Sequence, residues 1–288
     1  MRMDRTTFAA CATIAVIVLV AALAPVMAAV TGHGATQQFL DIGLSASGVP
    51  VPPNHTFLFG TDGLGRDVLV RIAYGSRVSV TVGLLASALA VLFGALVGIA
   101  AAWAGGMVDA VLSRTMDAFL AFPFIVLALA LVAVIGSSLA VSIIVIASFS
   151  WASVARVVRS QVLSIREHEY VLAARAIGAN HVRIMVVTIL PNVAPTLIVY
   201  TTLLIPGAIV TEATLSFLGL SVTPPAPSWG NMLADAMRYY RVAWWLVLFP
   251  AGAVVVTTLA CNVVGDRVRD AFDPRRGSTE RTGLRTAA

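Results

Sequence analysis

"EHEYVLAARAIGANHVRIMVVTILPN", residues 167–192, carries charge into a chain that is otherwise mostly apolar. It sets Glu167, His168, Glu169, Arg175, His181 and Arg183 between two long hydrophobic runs. The pattern within it is helix, break, helix. Tyr170, Val171, Ala174 and Ile177 fall on one helical face, with Glu169 and Arg175 off it. Gly178 is placed to end that helix in a left-handed turn, and Asn180 to cap the next one. The second helix repeats Val182, Met185, Val186 and Ile189 at i, i+3, i+4 and i+7. It is expected to stop before Pro191, which has no N–H to continue the ladder. A short helix of small side chains followed by a tight glycine turn makes a rigid knob. Such a knob suits a cleft on another protein, and the same periodicity suits an amphipathic loop lying on a membrane surface.

The flanking runs decide the class. Only 11% of the 288 residues are charged and the mean hydropathy is +0.92, whereas a soluble domain carries about 25% charged residues. Several runs approach the roughly 20 residues that a helix needs to cross about 30 Å of hydrocarbon. The chain therefore reads as an all-α membrane protein of six transmembrane helices. The first run, about Phe8–Val30, follows Arg2 and Arg5 and exceeds the roughly 7–15 apolar residues of a cleaved signal sequence, so it is expected to be retained. Further spans are expected at about 78–104, 117–136, 138–158, 193–221 and 244–264, with Gly136-Ser137-Ser138 separating the third from the fourth. The expected organisation is an N-terminal helix plus extracytoplasmic segment over 1–77, a five-helix core over 78–275 containing the loop 159–191, and a disordered tail over 276–288.

Arginine sets the orientation, because cytoplasmic loops of membrane proteins carry the excess of positive charge. With the N-terminus inside, 14 arginines fall in inner segments and 5 (Arg66, Arg71, Arg77, Arg238 and Arg241) in outer ones. Both termini and the loop 159–191 are thus expected in the cytoplasm. Tyr239, Tyr240, Trp244 and Trp245 then form an outer aromatic cluster suited to the headgroup boundary. All 19 basic residues are arginine. Without lysine there is no phosphate-loop lysine and no Schiff base, so any ATP used must be bound by another chain. The net charge of +5 is spread over loops, the usual mark of topology rather than of nucleic-acid binding. Cys11 and Cys261 sit in apolar runs as small buried residues. No metal site is expected: His33, His55, His168 and His181 lie in expected loops, His168-Glu169 does not continue as a metalloprotease motif, and Glu167-His168-Glu169 reads as a solvated surface.

Inside the spans, Ala86, Ala90, Gly94, Gly98, Ala102 and Gly106 recur at every fourth position, a stripe that lets helix backbones approach closely. It serves packing within this chain or against a partner. Before it, Val68, Leu69 and Ile72 face one way and Arg66, Asp67 and Arg71 others, which suits a short helix on the outer interface. Glu212 is a carboxylate well inside a span, and a charge there costs about 2.5–3.5 kcal/mol on insertion scales. Pro206 precedes it, where a kink frees backbone groups that only protein or water can satisfy. Glu212 and Pro206 either border a translocation path or hold helices together structurally.

Glu169, Ala173-Ala174, Gly178 and Leu190-Pro191 resemble the EAA loop of binding-protein-dependent ABC importer permeases. The position before Ala173-Ala174, often Glu in that family, is Leu172 here. "FGTDGLGRDVLVRIAYGSRVS" (59–79), "TEATLSFLGLSVTPPAPSWGNML" (211–233) and "NVVGDRVRDAFDPRR" (262–276) resemble signature segments of the dipeptide/oligopeptide/nickel permease group, most nearly its C-type dipeptide permease. The resemblance implies a type I ABC importer permease fold in the inner (plasma) membrane of a prokaryote. It also implies a heterodimer with a second permease, two ABC ATPase subunits that bind ATP and magnesium, and an extracytoplasmic substrate-binding protein. The chain itself would hold no cofactor, catalyse no reaction and contact lipid but no nucleic acid. Glu169, Tyr170, Ala173, Ala174, Arg175 and Gly178 would form the coupling helix and its turn. An ion-coupled secondary transporter is the alternative; it needs several buried ionisable groups, and Glu212 is the single candidate in the spans.

Overall fold

A computed structural model of the chain describes residues 4–272, and every regular element among them is helical. The first helix, α1 (Arg5–Thr31), ends at Gly32, whose φ of 73° is the left-handed conformation open to glycine. After a polar segment the chain enters α2 (Val68–Ala104), which starts at Val68 rather than at residue 78. The separate surface helix expected there is instead the opening turns of α2. Asp67 makes this possible, its side chain accepting from Leu69 N–H and Val70 N–H as an N-cap.

The expected third span is two helices, α3 (Gly106–Ala121) and α4 (Phe124–Ile135), bent by 93°. Pro123 causes the break: it cannot donate to the ladder, and it holds Phe122 in extended backbone at φ −79°, ψ 136°. Among the described residues five helices are long and apolar enough to cross a membrane, and six spans result if this bent pair counts as one. The Gly136 break is as expected, with Gly136 at φ 93° and the hydroxyl of Ser138 accepting from Val141 N–H to cap α5 (Leu139–Ile165).

Next come the short α6 (Glu169–Ala176), α7 (His181–Arg183) and a π-helical stretch, Ile184–Ile189, that runs directly into α8 (Leu190–Phe217). The expected stop before Pro191 therefore does not occur. A π turn loops five residues per hydrogen bond, as in Leu190 N–H to Met185 O, and the return to α-helix falls at Pro191, the residue with no N–H to commit to either register. The short α9 (Trp229–Ala236) opens with a capping box between Ser228 and Asn231. The last helix, α10 (Trp245–Phe272), passes residue 264 and takes Asp266, Arg267, Arg269 and Asp270 into its final turns. Asp273, Pro274, the remaining tail and the first three residues lie outside the described residues.

The polypeptide runs to and fro between two ends. At one, Asp4 pairs with Arg267, Arg166 Nη1 donates to Ala102 O at 2.8 Å, and α6 and α7 sit beside the close of α2. At the other, His33 after α1 meets Asp67 before α2, and Ser142 of α5 meets Ser221 after α8. Both ends of the described chain thus lie on the side of the 167–192 loop.

The bundle is organised on α2 and α5. A Cβ at Gly94 would lie 2.7 Å from Trp151 O, and one at Gly98 2.5 Å from Ala155 O, so both glycines are contact surfaces for the α5 backbone. Ala86, Ala90 and Ala102 are buried on the same seam. The stripe therefore packs within this chain, except for Gly106, which is exposed and begins α3 at φ 52°. Cys11 and Cys261 are only half-buried; Cys261 lines a cavity of about 140 Å³ between α1, α2, α8 and α10.

Substituting Gly98→Leu should break this seam. Overpacking costs about 1–3 kcal/mol, and here the obstacle is backbone that cannot rotate away. The expected result is a lowered midpoint in detergent thermal unfolding and a broadened size-exclusion peak, with Gly252→Leu, whose added Cβ meets nothing within 4 Å, close to the unsubstituted chain.

Candidate functional site

The 167–192 loop forms the expected knob. Gly178 turns at φ 81°, and the Asn180 side chain accepts from Val182 N–H. One residue of α6 is driven inward: Val171, fully buried among Val158, Val162, Ile165, Ile184, Ile189 and Val193. Ala174 is packed against the same cluster. Tyr170 and Ile177 were expected on that inner face, but they project outward, Ile177 with 85% of its surface exposed. The helix is too short and too close to the π stretch to bury more than the Val171–Ala174 edge.

Glu169 is exposed in the first turn of α6, where the helix dipole favours an anion. Ala173, Arg175 and Gly178 are also exposed, so the knob shows a small-residue ridge flanked by apolar tips. Arg175 lies over the Trp103 ring with its guanidinium carbon 4.4 Å from the centroid, and the His181 ring meets the same indole edge-on at 5.6 Å. This stack ties both sides of the knob to the end of α2. Trp103 was not predicted to matter; an isolated tryptophan at a span end reads as a headgroup anchor, and its neighbours Arg175 and His181 lie over 70 residues away in sequence. Arg159, bonded to Asp109 Oδ2 through Nη2 at 2.7 Å, ties α5 to α3 on the same side.

Within the bundle, Glu212 has no exposed surface. Its Oε2 accepts from Ser79 of α2 at 2.8 Å and its Oε1 from Ser216 of its own helix at 2.7 Å. Pro206, six residues earlier on the same helix, is also buried. The carbonyl it leaves without an i+4 donor is that of Thr202, which faces Gly265 of α10: a Cβ there would lie 3.5 Å from Thr202 O.

The opposite end carries a platform that the sequence did not reveal. Arg66, Asp67 and Arg71, expected on solvated faces, are buried. Asp62 Oδ2 receives Arg66 Nε at 2.7 Å and sits 3.2 Å from Arg71 Nε, a charge contact without hydrogen-bond alignment. Arg66 also reaches Asp235 at 3.4 Å, and Asp67 Oδ2 holds His33 Nδ1 at 2.6 Å. The aromatic cluster divides. Tyr240 and Trp244 are exposed as a boundary requires, but Trp245 is buried with Nε1 donating to Thr61 O at 3.0 Å, and the Tyr239 ring covers Gly63. Trp229 of α9 donates to Ile72 O at 3.2 Å. Opposite charges separated by many residues, such as Arg66 and Asp235, leave no periodic trace in sequence.

Among the described residues no three His, Cys, Asp or Glu side chains are grouped to hold a metal ion.

Residues 90–278 match the family of the binding-protein-dependent transport system inner membrane component. A putative peptide transport system permease protein of Brucella suis biovar 1 is 45% identical over 224 residues, 78% of this chain and 75% of that protein. The dipeptide transport system permease protein DppC of Alkalihalophilus pseudofirmus is 43% identical over 226 residues, covering 78% and 74%. The di/tripeptide transport system permease protein DppC of Pseudomonas aeruginosa is 39% identical over 246 residues, covering 85% and 81%. A chain of the MetNI methionine ABC transporter, solved in inward facing conformations, superposes with a TM-score of 0.57 at 19% identity, covering 70% of this chain and 96% of that one.

Removing the Glu212 carboxylate should loosen α8 from α2. Glu212→Ala leaves two buried hydroxyls without their acceptor, a cost of about 1–3 kcal/mol, and is expected to lower the unfolding midpoint of the purified protein. Glu212→Gln keeps one carbonyl oxygen and should fall between. An unfolding midpoint for Glu212→Ala equal to that of the unsubstituted protein would show that the Ser79 contact contributes nothing.

Proposed function

The chain belongs to the family of binding-protein-dependent transport system inner membrane components and has the fold of a type I ABC importer permease, and from that premise we propose that it imports short peptides as one permease of an ATP-driven complex. The names of its peptide and dipeptide relatives support the cargo. A second permease, two ABC ATPases that bind ATP and magnesium, and an external binding protein complete the assembly. ATP hydrolysis belongs to those partners, in keeping with a chain that has no lysine for a phosphate loop.

The observation that carries the proposal is the knob. It is a short helix anchored by one buried valine, with Tyr170, Leu172 and Ile177 exposed around a small-residue ridge. Exposed apolar side chains on a rigid polar-flanked projection mark a surface that another protein covers. The knob side is the cytoplasmic side, and both ends of the described residues share it. Arg5, Arg156, Arg159, Arg166, Arg175, Arg183, Arg267 and Arg269 gather at that end, as inward-facing loops require. Closure of the ATPase pair pushes Glu169, Tyr170, Ala173, Ala174, Arg175 and Gly178. Val171, wedged against Ile184 and Ile189, passes the displacement through the π stretch into α8, the helix that carries Pro206 and Glu212. The platform of residues 31–67 and the 218–244 segment receive the binding protein.

Reconstitution in proteoliposomes tests the reading. Peptide uptake should require the ATPase subunits, the binding protein and ATP; uptake by this chain alone on a proton or sodium gradient would reject it in favour of a secondary transporter. Ile177→Asp should reduce ATPase co-purification and uptake at least tenfold while the permease still inserts and pairs. Undiminished ATPase capture by that variant would move the contact elsewhere.

A further inference from the structure

Two open grooves of similar size run along the bundle, and they differ in what they present. One, of about 460 Å³, lies between α2, α3 and α5 and is walled by Leu89, Phe93, Val97, Leu112 and Trp151. Thr115 and Ser148 border it, yet almost none of its surface is polar. That wall matches acyl chains. The other, of about 380 Å³, lies between the α3–α4 bend, α5 and α8, and much more of its surface is polar. Ser150, Ser153, Gly207 and Thr211 line it among apolar neighbours, and no lining residue is ionisable.

We infer that this second groove, centred on Gly207, is this subunit's wall of the translocation path and accepts the N–H groups of a passing peptide; the inference rests on the importer reading above. Three observations support it. Thr211 Oγ1 donates to Gly207 O at 2.7 Å and Ser150 Oγ to Ile146 O at 3.1 Å, so each hydroxyl has its proton committed to its own helix and offers lone pairs outward. An array of acceptors without charge suits backbone amide and ammonium donors whatever side chains the peptide bears. Depth agrees as well, since Ser150 lies 11 residues into α5, about 16 Å from its start at about 1.5 Å per residue, near the middle of the bilayer.

Gly207 supplies the third. Gly83, Gly94 and Gly98 are glycine because a Cβ would strike a neighbouring helix, whereas a Cβ at Gly207 meets nothing within 4 Å. No packing contact inside this chain requires glycine at 207. An open glycine one turn before Thr211 widens a channel and brings the α8 backbone within reach of what passes.

The same open space makes the test clean, because a large side chain at 207 has room in this subunit. The complete importer would be assembled with Gly207→Trp, or with Ile144→Trp on the apolar groove as control, and uptake of radiolabelled dialanine measured alongside co-purification of all subunits. Gly207→Trp should assemble normally and lose at least tenfold in uptake, while Ile144→Trp transports as the unsubstituted complex does. Full uptake by the Gly207→Trp complex would put lipid in the groove and overturn the inference. Loss of the second permease from that complex would make the groove a subunit seam and overturn it equally. If the unsubstituted complex imports no dialanine, the peptide reading fails by itself. The aqueous character of the groove is then decided by Gly207→Cys in a chain with Cys11→Ala and Cys261→Ala: reaction with a charged thiosulfonate reagent supports a water-filled path, and no reaction refutes it.

Discussion

The approach of α2 to α5 through Gly94 and Gly98 is the contact on which the other elements hang. In hydrocarbon the apolar effect that joins soluble helices is absent, so association depends on close van der Waals contact, and glycine gives the closest. With the seam fixed, the two ends of α2 become reference points. Its first turn carries the Asp67 cap and Arg71 of the platform, and its last carries Trp103, on which Arg175 and His181 rest. The platform and the knob are thus attached to opposite ends of one helix, 37 residues long, or about 55 Å at about 1.5 Å per residue.

Proline distributes the remaining freedom. Pro123 breaks one span into α3 and α4, whereas Pro191, Pro195 and Pro206 are carried within or at the entry of a continuous α8. The difference lies in what surrounds them. Phe122 is half-free at the surface and yields to extended backbone, while α8 is flanked by α2 and α10 and its freed Thr202 carbonyl faces the Gly265 backbone. Membrane helices tolerate proline where neighbours approach the freed carbonyl or the ladder changes register. The π stretch of Ile184–Ile189 is the second device, and it lies between the knob and the prolines of α8.

Much of this was legible in the sequence because it has a period. The order of the apolar runs, the Gly136 break, the Gly178 turn, the Asn180 cap and the glycine stripe follow from run composition, spacing of 3.6 residues and the φ preferences of glycine, whereas the start of α2 at Val68 and the extension of α10 to Phe272 do not. The inward face of α6 was half legible: Val171 and Ala174 go in, but an eight-residue helix has no room to bury Tyr170 and Ile177 as well. Pro123 was a visible signal of the α3–α4 bend, overridden by the apolar run around it. The platform was illegible for a different reason. Arg66 and Arg71 look like solvated charges until Asp62 and Asp235 are brought to them, and the sequence separation of 169 between Arg66 and Asp235 gives no hint of the meeting. Burial of charge is set by tertiary partners, which composition does not encode.

The two ends also differ in how firmly they are held, and this bears on which one moves. The platform is cross-braced by buried polar contacts: Asp62 hydrogen-bonded to Arg66 and in charge contact with Arg71, Asp67 with His33, and the indoles of Trp229 and Trp245 each bonded to a carbonyl of another element. Removing one partner of a buried pair costs about 3–5 kcal/mol, so such a lattice opens rarely. The knob is held by the packed Val171–Ala174 edge and by a cation–π stack at a wet surface, a contact of about 0.5–1 kcal/mol. A force applied at the knob therefore meets little resistance locally and a great deal at the far end. A displacement applied at the knob would be taken up between them, in the π stretch and along the proline-bearing α8, the helix whose Gly207 and Thr211 border the hydroxyl-lined groove.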